Sequence, residues 1–566
     1  MVAYADKPWL KHYHAGVPTH VDIPEISVPD MLERTVSKIP DNTAIYFMGR
    51  KITYKELKDH VDRLATALVD LGISRGDVVA IHLPNLPQFI ITYYAALKAG
   101  ARVTCISALL TGPEAKFQLN DAGAKAIVTM DGAPLGVISS IRNDTKLKHV
   151  IVASLMDYLP GKPRRPAEKE GTHQFANLIA DHQPNPPQFK INPREEVAVL
   201  QYTGGTTGIP KGAMLTHHNL VSNVMQGIAW FGWNFEFGKE TCLVNLPLFH
   251  IYAMTACMNV PIWHGFCMAL NPDPRDLPSA LSLIKSTKPS FFPGVPTLYM
   301  RLLQVKGVEK YYGDLKTIRI CLSGAAPMPP EVMKQFEQVT GGTVLEAYGL
   351  TETCPATHIS PSKEGRKIGS IGPPISDTDC RIVDIETGIR LMPVGEAGEL
   401  AIKGPQVMKG YWNKPEETKN QLKKEIAGEP GPWLLTGDIA KMDEDGFFYI
   451  VDRKKDMIDV SGFKVYPREV DDVLFEHPSV AMAAAIGIAD PKMPGSERVK
   501  AFVVVKPGVA ESDETKKNII DFAKTRLAPY KVPKEIEFRK ELPTTLIGKV
   551  LKRPLRDEEK QKTGKT

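Results

Sequence analysis

The sequence predicts an α/β fold: a large N-terminal domain of α/β sheet subdomains plus a β-rich subdomain, then a small α+β domain. Three observations predict it. Apolar segments of helical and strand period alternate from residue 54 to 128, the pattern of a largely parallel sheet. From about residue 371 the texture changes to short strands broken by glycine turns. A charged break, Asp452-Arg453-Lys454-Lys455-Asp456, then precedes a compact restart. Domains of 1–452 and 453–566 follow. At 566 residues the chain is too long for one core.

The elements run in order. After an entry arm, a helix is expected over 29–39. In the next helix, 54–72, Leu57, Val61, Leu64, Leu68 and Leu71 form one apolar stripe. A strand at 78–83, a helix at 88–99 and a strand at 102–106 follow. A helix at 113–121 and a strand at 126–128 complete the alternation. Residues 155–192 are rich in proline and charge and read as a surface excursion. Later strands are expected to end in 245–250, run from 291 into a turn at 293–296, and cover 318–322 and 344–352. In open α/β sheets ligands gather outside the carboxyl ends of strands, so these ends point to one site. Short strands follow at 380–384, 399–402 and 447–451. The last part reads as a helix at 468–476, strands at 480–488 and 500–505, and a helix at 513–527 that stops before Pro529.

Composition narrows the function. The chain has 70 basic and 65 acidic residues, a net charge of +5, and 43% hydrophobic residues. Such balance argues against a binder driven by nucleic-acid charge. No apolar run reaches the roughly twenty residues of a membrane span. No secretory h-region opens the chain and no peroxisomal tripeptide closes it. Seven cysteines without a CxxC pair fit a reduced cytoplasmic protein without a zinc site, with Cys105, Cys242 and Cys321 in the core.

The chemistry centres on Tyr202-Thr203-Gly204-Gly205-Thr206-Thr207-Gly208-Ile209-Pro210-Lys211-Gly212, between two apolar runs. Strand, tight loop, strand is the expected form. Glycines let successive N–H groups line an anion pocket, and hydroxyls and an ammonium add contacts. It is not a Walker A loop, because Pro210 precedes Lys211 and no Gly-Lys-Ser/Thr opens a helix. Alone, the stretch reads equally as a phosphate loop or an empty Gly/Thr hairpin.

Further motifs stand in order: Ser323-Gly324-Ala325-Ala326-Pro327, Ala347-Tyr348-Gly349-Leu350-Thr351-Glu352, Thr436-Gly437-Asp438, the 452–456 break, Ser461-Gly462-Phe463-Lys464 and Gly548-Lys549. With the loop, this set resembles the adenylate-forming superfamily of acyl-CoA synthetases, adenylation domains and luciferases, from about residue 10 to 556. Within it, the chain most resembles bacterial medium- and long-chain fatty-acid–CoA ligases. The resemblance implies an AMP-forming acid–thiol ligase using ATP, Mg²⁺ and coenzyme A, with a mobile C-terminal domain. A carboxylate first attacks the α-phosphate to give acyl-AMP and pyrophosphate, and the CoA thiol then displaces AMP.

The resemblance also implies roles. Thr203, Gly204, Gly205, Thr206, Thr207, Gly208 and Lys211 hold the β- and γ-phosphates. Thr351 touches the α-phosphate, and Glu352 holds Mg²⁺. Gly324, Ala325, Ala326, Tyr348 and Gly349 form the adenine site. Asp438 and Arg453 hold the ribose, Lys455 is the hinge, and Ser461 and Gly462 face CoA. Lys549 bridges carboxylate and α-phosphate. Against these stand plain readings: a turn-forming Asp438, a solvated Glu352, a tail lysine at 549.

The Pro247-Leu248-Phe249-His250 stretch matches the family's acyl entrance, which makes His250 a substrate-positioning candidate. No carboxylate follows in Ile251-Tyr252-Ala253-Met254, which disfavours amino-acid substrates. Met254, Ala256, Met258, Val260 and Ile262, with Phe292, Val295 and Tyr299, are candidates for an apolar pocket or for plain core. Alternatives are an aryl-acid CoA ligase, an acyl-AMP ligase loading a carrier protein, and a non-catalytic nucleotide- or acyl-binding regulator. Peripheral contact at the inner membrane face and homodimerisation stay open.

Overall fold

The computed structural model describes residues 3–161, 167, 170–203, 210–461, 463–491, 493, 496–544 and 550–562. The chain forms two compact units. One comprises Trp9–Asp379 and Ile402–Leu422; the other comprises Met1–Pro8, Cys380–Ala401 and Lys423–Thr566.

The first unit holds two eight-stranded sheets. In one, Thr343–Gly349, Ile320–Ser323, Phe291–Gly294, Thr241–Val244, Cys267–Leu270 and Thr43–Phe47 lie side by side and parallel. Antiparallel strands Ala356–Ile359 and Arg50–Thr53 close its two edges. The parallel strands are short apolar runs, as strands covered on both faces must be. In the second sheet, Val197–Thr203 joins the parallel set of Arg102–Cys105, Val78–His82, Ala124–Met130, His149–Ala153 and His173–Gln174. Lys211–Thr216 turns back antiparallel on Val197–Thr203, and Gly410–Tyr411 extends that edge.

Helices cover these sheets for readable reasons. Tyr54–Asp70 starts where the Thr53 hydroxyl accepts the Glu56 N–H at 3.1 Å. It buries Leu57, Val61, Leu64 and Leu68, the stripe expected from spacing. Pro87–Lys98 is buried on almost every side, with Phe89, Ile90, Ile91, Tyr93 and Tyr94 fully inside. A helix apolar all round belongs in the interior of a large domain.

The second unit contains a five-stranded sheet of Asp379–Val383, Gly398–Lys403, Glu429–Met442, Leu422–Ile426 and Phe448–Arg453. It also contains a three-stranded sheet of Val480–Ala489, Glu497–Val505 and Glu535–Phe538. Helices Pro467–Phe475 and Asp513–Lys524 contribute Val470, Leu474, Ile519 and Ala523 to a core with Val499, Ala501 and Val503. Helix Lys552–Lys562 buries Leu555 in a smaller cluster with Phe502 and Leu542.

Some stretches differ from the sequence expectation or add to it. Residues 155–192 are not only an excursion, because strand His173–Gln174 and helix Phe175–Asp181 lie within them. The strand expected to end in 245–250 stops at Val244, where Pro247 has no N–H to offer a ladder. The apolar run after His250 is helical, with a π-helical turn at Met254–Asn259 between Ile251–Ala253 and Val260–His264.

The 245–250 loop is held by one buried side chain. Asn85 donates to the Leu246 carbonyl at 2.9 Å and accepts from the Leu248 N–H at 2.9 Å, replacing the missing strand partner. Asn85→Ala leaves both backbone groups buried and unpaired. It should lower unfolding free energy by about 2–4 kcal/mol, read as a drop in the urea midpoint. An unchanged midpoint would show that the loop holds itself.

Candidate functional site

Parallel pairing puts the carboxyl ends of Thr241–Val244, Phe291–Gly294, Ile320–Ser323 and Thr343–Gly349 along one edge. Two buried tyrosines fasten that edge. The Tyr252 hydroxyl donates to the Leu322 carbonyl at 2.5 Å and lies 3.2 Å from the Gly294 carbonyl. Tyr299 reaches the Phe292 and Leu322 carbonyls at 2.8 and 3.1 Å. Their rings occupy the space a side chain would need: a Cβ on Gly324 would sit 3.3 Å from Tyr252, and one on Gly294 2.7 Å from Tyr299.

After Gly324, Ala325 takes a left-handed φ of 68° and is exposed, while Ala326 is half-buried. A non-glycine residue held there stores local strain, a frequent mark of ligand sites. Tyr348 is half-buried and meets His358 edge-on at 5.7 Å. Gly349 has a reason of its own. A Cβ there would lie 1.8 Å from the Pro355 carbonyl oxygen, so the close approach its glycine permits is that of its own chain. Thr351 and Glu352 open the short turn Thr351–Thr353 directly beyond.

Glu352 accepts a hydrogen bond from the Tyr411 hydroxyl at 2.7 Å. Burial, reinforced by the Glu352 charge, pushes the Tyr411 phenol far up, so it stays a donor. Across the same ring, the Lys211 ammonium lies 5.1 Å from the centroid, within cation–π range. Thr203 and Lys211 are direct partners at the mouth of their antiparallel pair. Beside them a Cβ on Gly212 would meet the Tyr202 ring at 3.1 Å, and the Tyr202 hydroxyl donates to Asp121 at 2.5 Å. Gly204, Gly205, Thr206, Thr207 and Gly208 lie outside the described residues. Sequence reasoning missed Tyr411, Tyr252 and Asn85. The Gly410-Tyr411-Trp412 run was the one available hint to Tyr411: a glycine beside two aromatics far from any helical or strand period.

At the acyl-entrance candidate, His250 Nδ1 accepts the Tyr252 N–H at 3.2 Å. Its proton therefore sits on Nε2. Burial lowers its pKa to about 4, so it is a neutral donor at working pH rather than a base. Met254 and Val295 are fully or almost fully buried, as are Met258, Ile262, Phe292 and Tyr299. Thr255 ties the π-helical turn to the Cys354 carbonyl at 2.7 Å.

In the second unit, Asp438 is buried and paired with Arg453 Nε at 3.1 Å; the two are register partners on adjacent strands. The Thr436 hydroxyl accepts the Asp438 N–H at 3.1 Å, and the Glu399 carboxylate receives the Gly437 N–H at 3.0 Å and the Lys454 ammonium at 2.8 Å. Lys455 stands in the short turn Lys454–Asp456. Arg556 clasps that turn through Asp456 at 2.7 Å and the Lys455 carbonyl at 3.2 Å. Ser461 is exposed with φ 54°, and its N–H bonds Ser496 Oγ at 2.9 Å. Gly462 and Lys549 lie outside the described residues. Three residues past Lys549, Lys552 pairs with the half-buried Asp471 at 2.6 Å.

Comparison with known proteins matches residues 32–412 to the AMP-binding enzyme family and residues 469–549 to the AMP-binding enzyme C-terminal domain. The chain is 42% identical over 573 residues to a long-chain-fatty-acid–CoA ligase of Bacillus subtilis, covering 98% of each. It is 37% identical over 581 residues to one of Escherichia coli O6:H1, covering 98% of this chain and 99% of the other. Among solved structures, an anthranilate CoA ligase bound to anthranoyl-AMP superposes with a TM-score of 0.83 at 26% identity, over 96% of this chain and 99% of that one.

Burial holds His250, His82 and His217 near pKa 4 and His358 near 3. Unfolding frees each to take a proton below its ordinary pKa of about 6.5. Native stability contributed by these neutral imidazoles is therefore full above about pH 6.5 and is lost as pH falls toward 4. Thermal midpoints between pH 7 and 4.5 should fall accordingly, and His358→Gln should flatten the slope. A slope that does not respond to this substitution would contradict the assignment.

Proposed function

Because the chain belongs to the AMP-binding enzyme family, we propose that it activates a medium- to long-chain fatty acid with ATP and passes it to coenzyme A. Full-length similarity to two proteins named long-chain-fatty-acid–CoA ligase carries the reading. No carboxylate stands in Ile251-Tyr252-Ala253-Met254 to pair an amino-acid ammonium, which supports an uncharged acyl chain.

In the first half-reaction a carboxylate oxygen bonds to the α-phosphorus and the bond to pyrophosphate breaks. Two anions must meet, so the chain has to aim donors and cations at the developing charge. Thr203, Lys211 and the glycines and threonines between them take the β- and γ-phosphates. Thr351 donates to the α-phosphate. Gly324, Ala325 and Ala326 receive the adenine, and Tyr348 stacks on it. Asp438 accepts the ribose hydroxyls with Arg453 beside it. Lys549 neutralises carboxylate and α-phosphate together. His250 offers Nε2–H to orient the acid. In the second half-reaction the CoA sulfur bonds to the acyl carbon, AMP leaves, and Ser461 and Gly462 line the approach of the thiol. We place the boundary of the small mobile domain at 452/453, with Lys455 as its pivot.

The donor set fits magnesium. Among the described residues no group of three or more His, Cys, Asp or Glu could hold a metal, and Glu352 is a single carboxylate beside the Thr351 hydroxyl. A site of one carboxylate completed by substrate phosphates is the usual magnesium arrangement. When bound, Mg²⁺ offsets phosphate charge, and Glu352 is the residue that would hold it.

No described helix is long and apolar enough to cross a membrane. We place the protein in the cytoplasm, meeting its acid at the inner membrane face, and include homodimerisation in the proposal. The decisive assay measures AMP release with palmitate, octanoate or 4-coumarate, with and without CoA. Release with the alkyl acids and CoA supports the reading. Preference for 4-coumarate favours an aryl-acid ligase; with pyrophosphate measured alongside, pyrophosphate release without AMP release, CoA present or not, marks an acyl-AMP ligase lacking its carrier, and release of neither with any acid a regulator. Lys549→Ala should abolish ATP–pyrophosphate exchange yet still convert supplied acyl-AMP to thioester. Wild-type exchange in that variant would remove Lys549 from the chemistry.

A further inference from the structure

Tyr411 belongs to a two-residue strand, Gly410–Tyr411, paired with Lys211–Thr216 at the edge of the second sheet. Neighbouring bonds fix it closely. Its N–H donates to the Thr418 hydroxyl at 2.9 Å, the Met408 N–H donates to the Glu352 carbonyl at 2.8 Å, and the Trp412 N–H to the Gly212 carbonyl at 2.8 Å. The segment is thus stitched to both the end of the Gly/Thr loop and the Thr351-Glu352 turn. Its ring stands between two opposite charges, with its hydroxyl 2.7 Å from Glu352 Oε1 and the Lys211 ammonium 5.1 Å from its centroid.

We infer that Tyr411 is a positioning residue that sets Glu352 for the metal and Lys211 for the terminal phosphates, coupling the two through one rigid side chain. The inference rests on the reading of Glu352 as the magnesium carboxylate. The hydroxyl occupies Oε1, which leaves Oε2 as the oxygen to present. Glu352 would then hold the metal through that oxygen, with substrate phosphates completing the site. Hydrogen bonds of this kind to ligating carboxylates are worth roughly 10–100-fold in metal affinity or activity. The ring face holds Lys211 without neutralising it, so its charge stays available to phosphate.

Two variants separate the two contacts. Tyr411→Phe deletes the hydroxyl and keeps the ring; Tyr411→Leu deletes both. Full-length protein is titrated with Mg²⁺ at fixed ATP and no acid, reading the rise in thermal midpoint. Mn²⁺ bound in the ternary complex with ATP is read by electron paramagnetic resonance. ATP–pyrophosphate exchange then gives the Mg²⁺ half-saturation, the ATP KM and the saturated kcat, with Glu352→Gln run in parallel. The expected result for Tyr411→Phe is a Mg²⁺ half-saturation raised about 10–100-fold, with kcat near wild type once magnesium saturates. Tyr411→Leu should add a several-fold rise in ATP KM. Normal metal binding in Tyr411→Phe beside impaired Glu352→Gln overturns the inference alone. A kcat loss in Tyr411→Phe without any shift in half-saturation also overturns it, since it marks a packing role. Normal metal binding in Glu352→Gln overturns the reading of Glu352, and the inference with it.

Discussion

A parallel sheet sends every strand's carboxyl end to one edge, and that constraint orders the first unit. Because Thr241–Val244, Phe291–Gly294, Ile320–Ser323 and Thr343–Gly349 run the same way, the segments that follow them share a rim. His250, Val295, Gly324 and Thr351 owe their common neighbourhood to this, not to proximity in sequence. The rim would splay without cross-ties, since each strand end leaves carbonyls without ladder partners. Tyr252 and Tyr299 supply the ties, both donating to the Leu322 carbonyl. A buried aromatic ring gives rigidity and its hydroxyl gives direction. The glycines beneath them, Gly294 and Gly324, are therefore answers to those rings as much as openings for a ligand.

Charge is managed by the same economy of parts. At the acyl candidate His250 is a half-buried neutral imidazole with its proton on Nε2, and no carboxylate follows it in 251–254. The charged candidate residues are tethered, each within its own unit. Lys211 is laid on an aromatic face, Glu352 is fixed by a phenol, and Asp438 is set by Arg453 and a backbone turn. Pre-set donors and charges cost no reorganisation when a substrate arrives, which is why such sites outperform water as a solvent for polyphosphate chemistry.

Much of this was legible in the residues, for definite reasons. Helix Tyr54–Asp70 and helix Pro467–Phe475 carry a one-sided apolar stripe, and the strands Val78–His82 and Val480–Ala489 are mainly apolar runs. The hairpin of Val197–Thr203 and Lys211–Thr216 declared itself by its glycines. The helices at 251–264 hid because a segment buried all round shows no stripe. Phe175–Asp181 hid inside proline-rich surroundings. Asn85 and Tyr411 act across long sequence separations, on Leu248 and Glu352 respectively. No local pattern can announce a hydrogen bond whose partner lies elsewhere in the chain, so the site's supports were the least readable part.

The two units are interleaved in sequence, and this governs the order in which the protein can be completed during synthesis. Strand Lys211–Thr216 emerges from the ribosome roughly 200 residues before its edge partner Gly410–Tyr411. At about 5–20 residues per second the nascent chain waits roughly 10–40 s with that edge uncovered. Between the two, the chain leaves the first unit for Cys380–Ala401 and returns through Ile402–Leu422. The ring that joins Lys211 to Glu352 thus arrives after both of its partners have been made. A chain stalled before residue 411 has Lys211 and Glu352 but not the side chain that holds them together, and the rest of the second unit, Lys423–Thr566, is still to come.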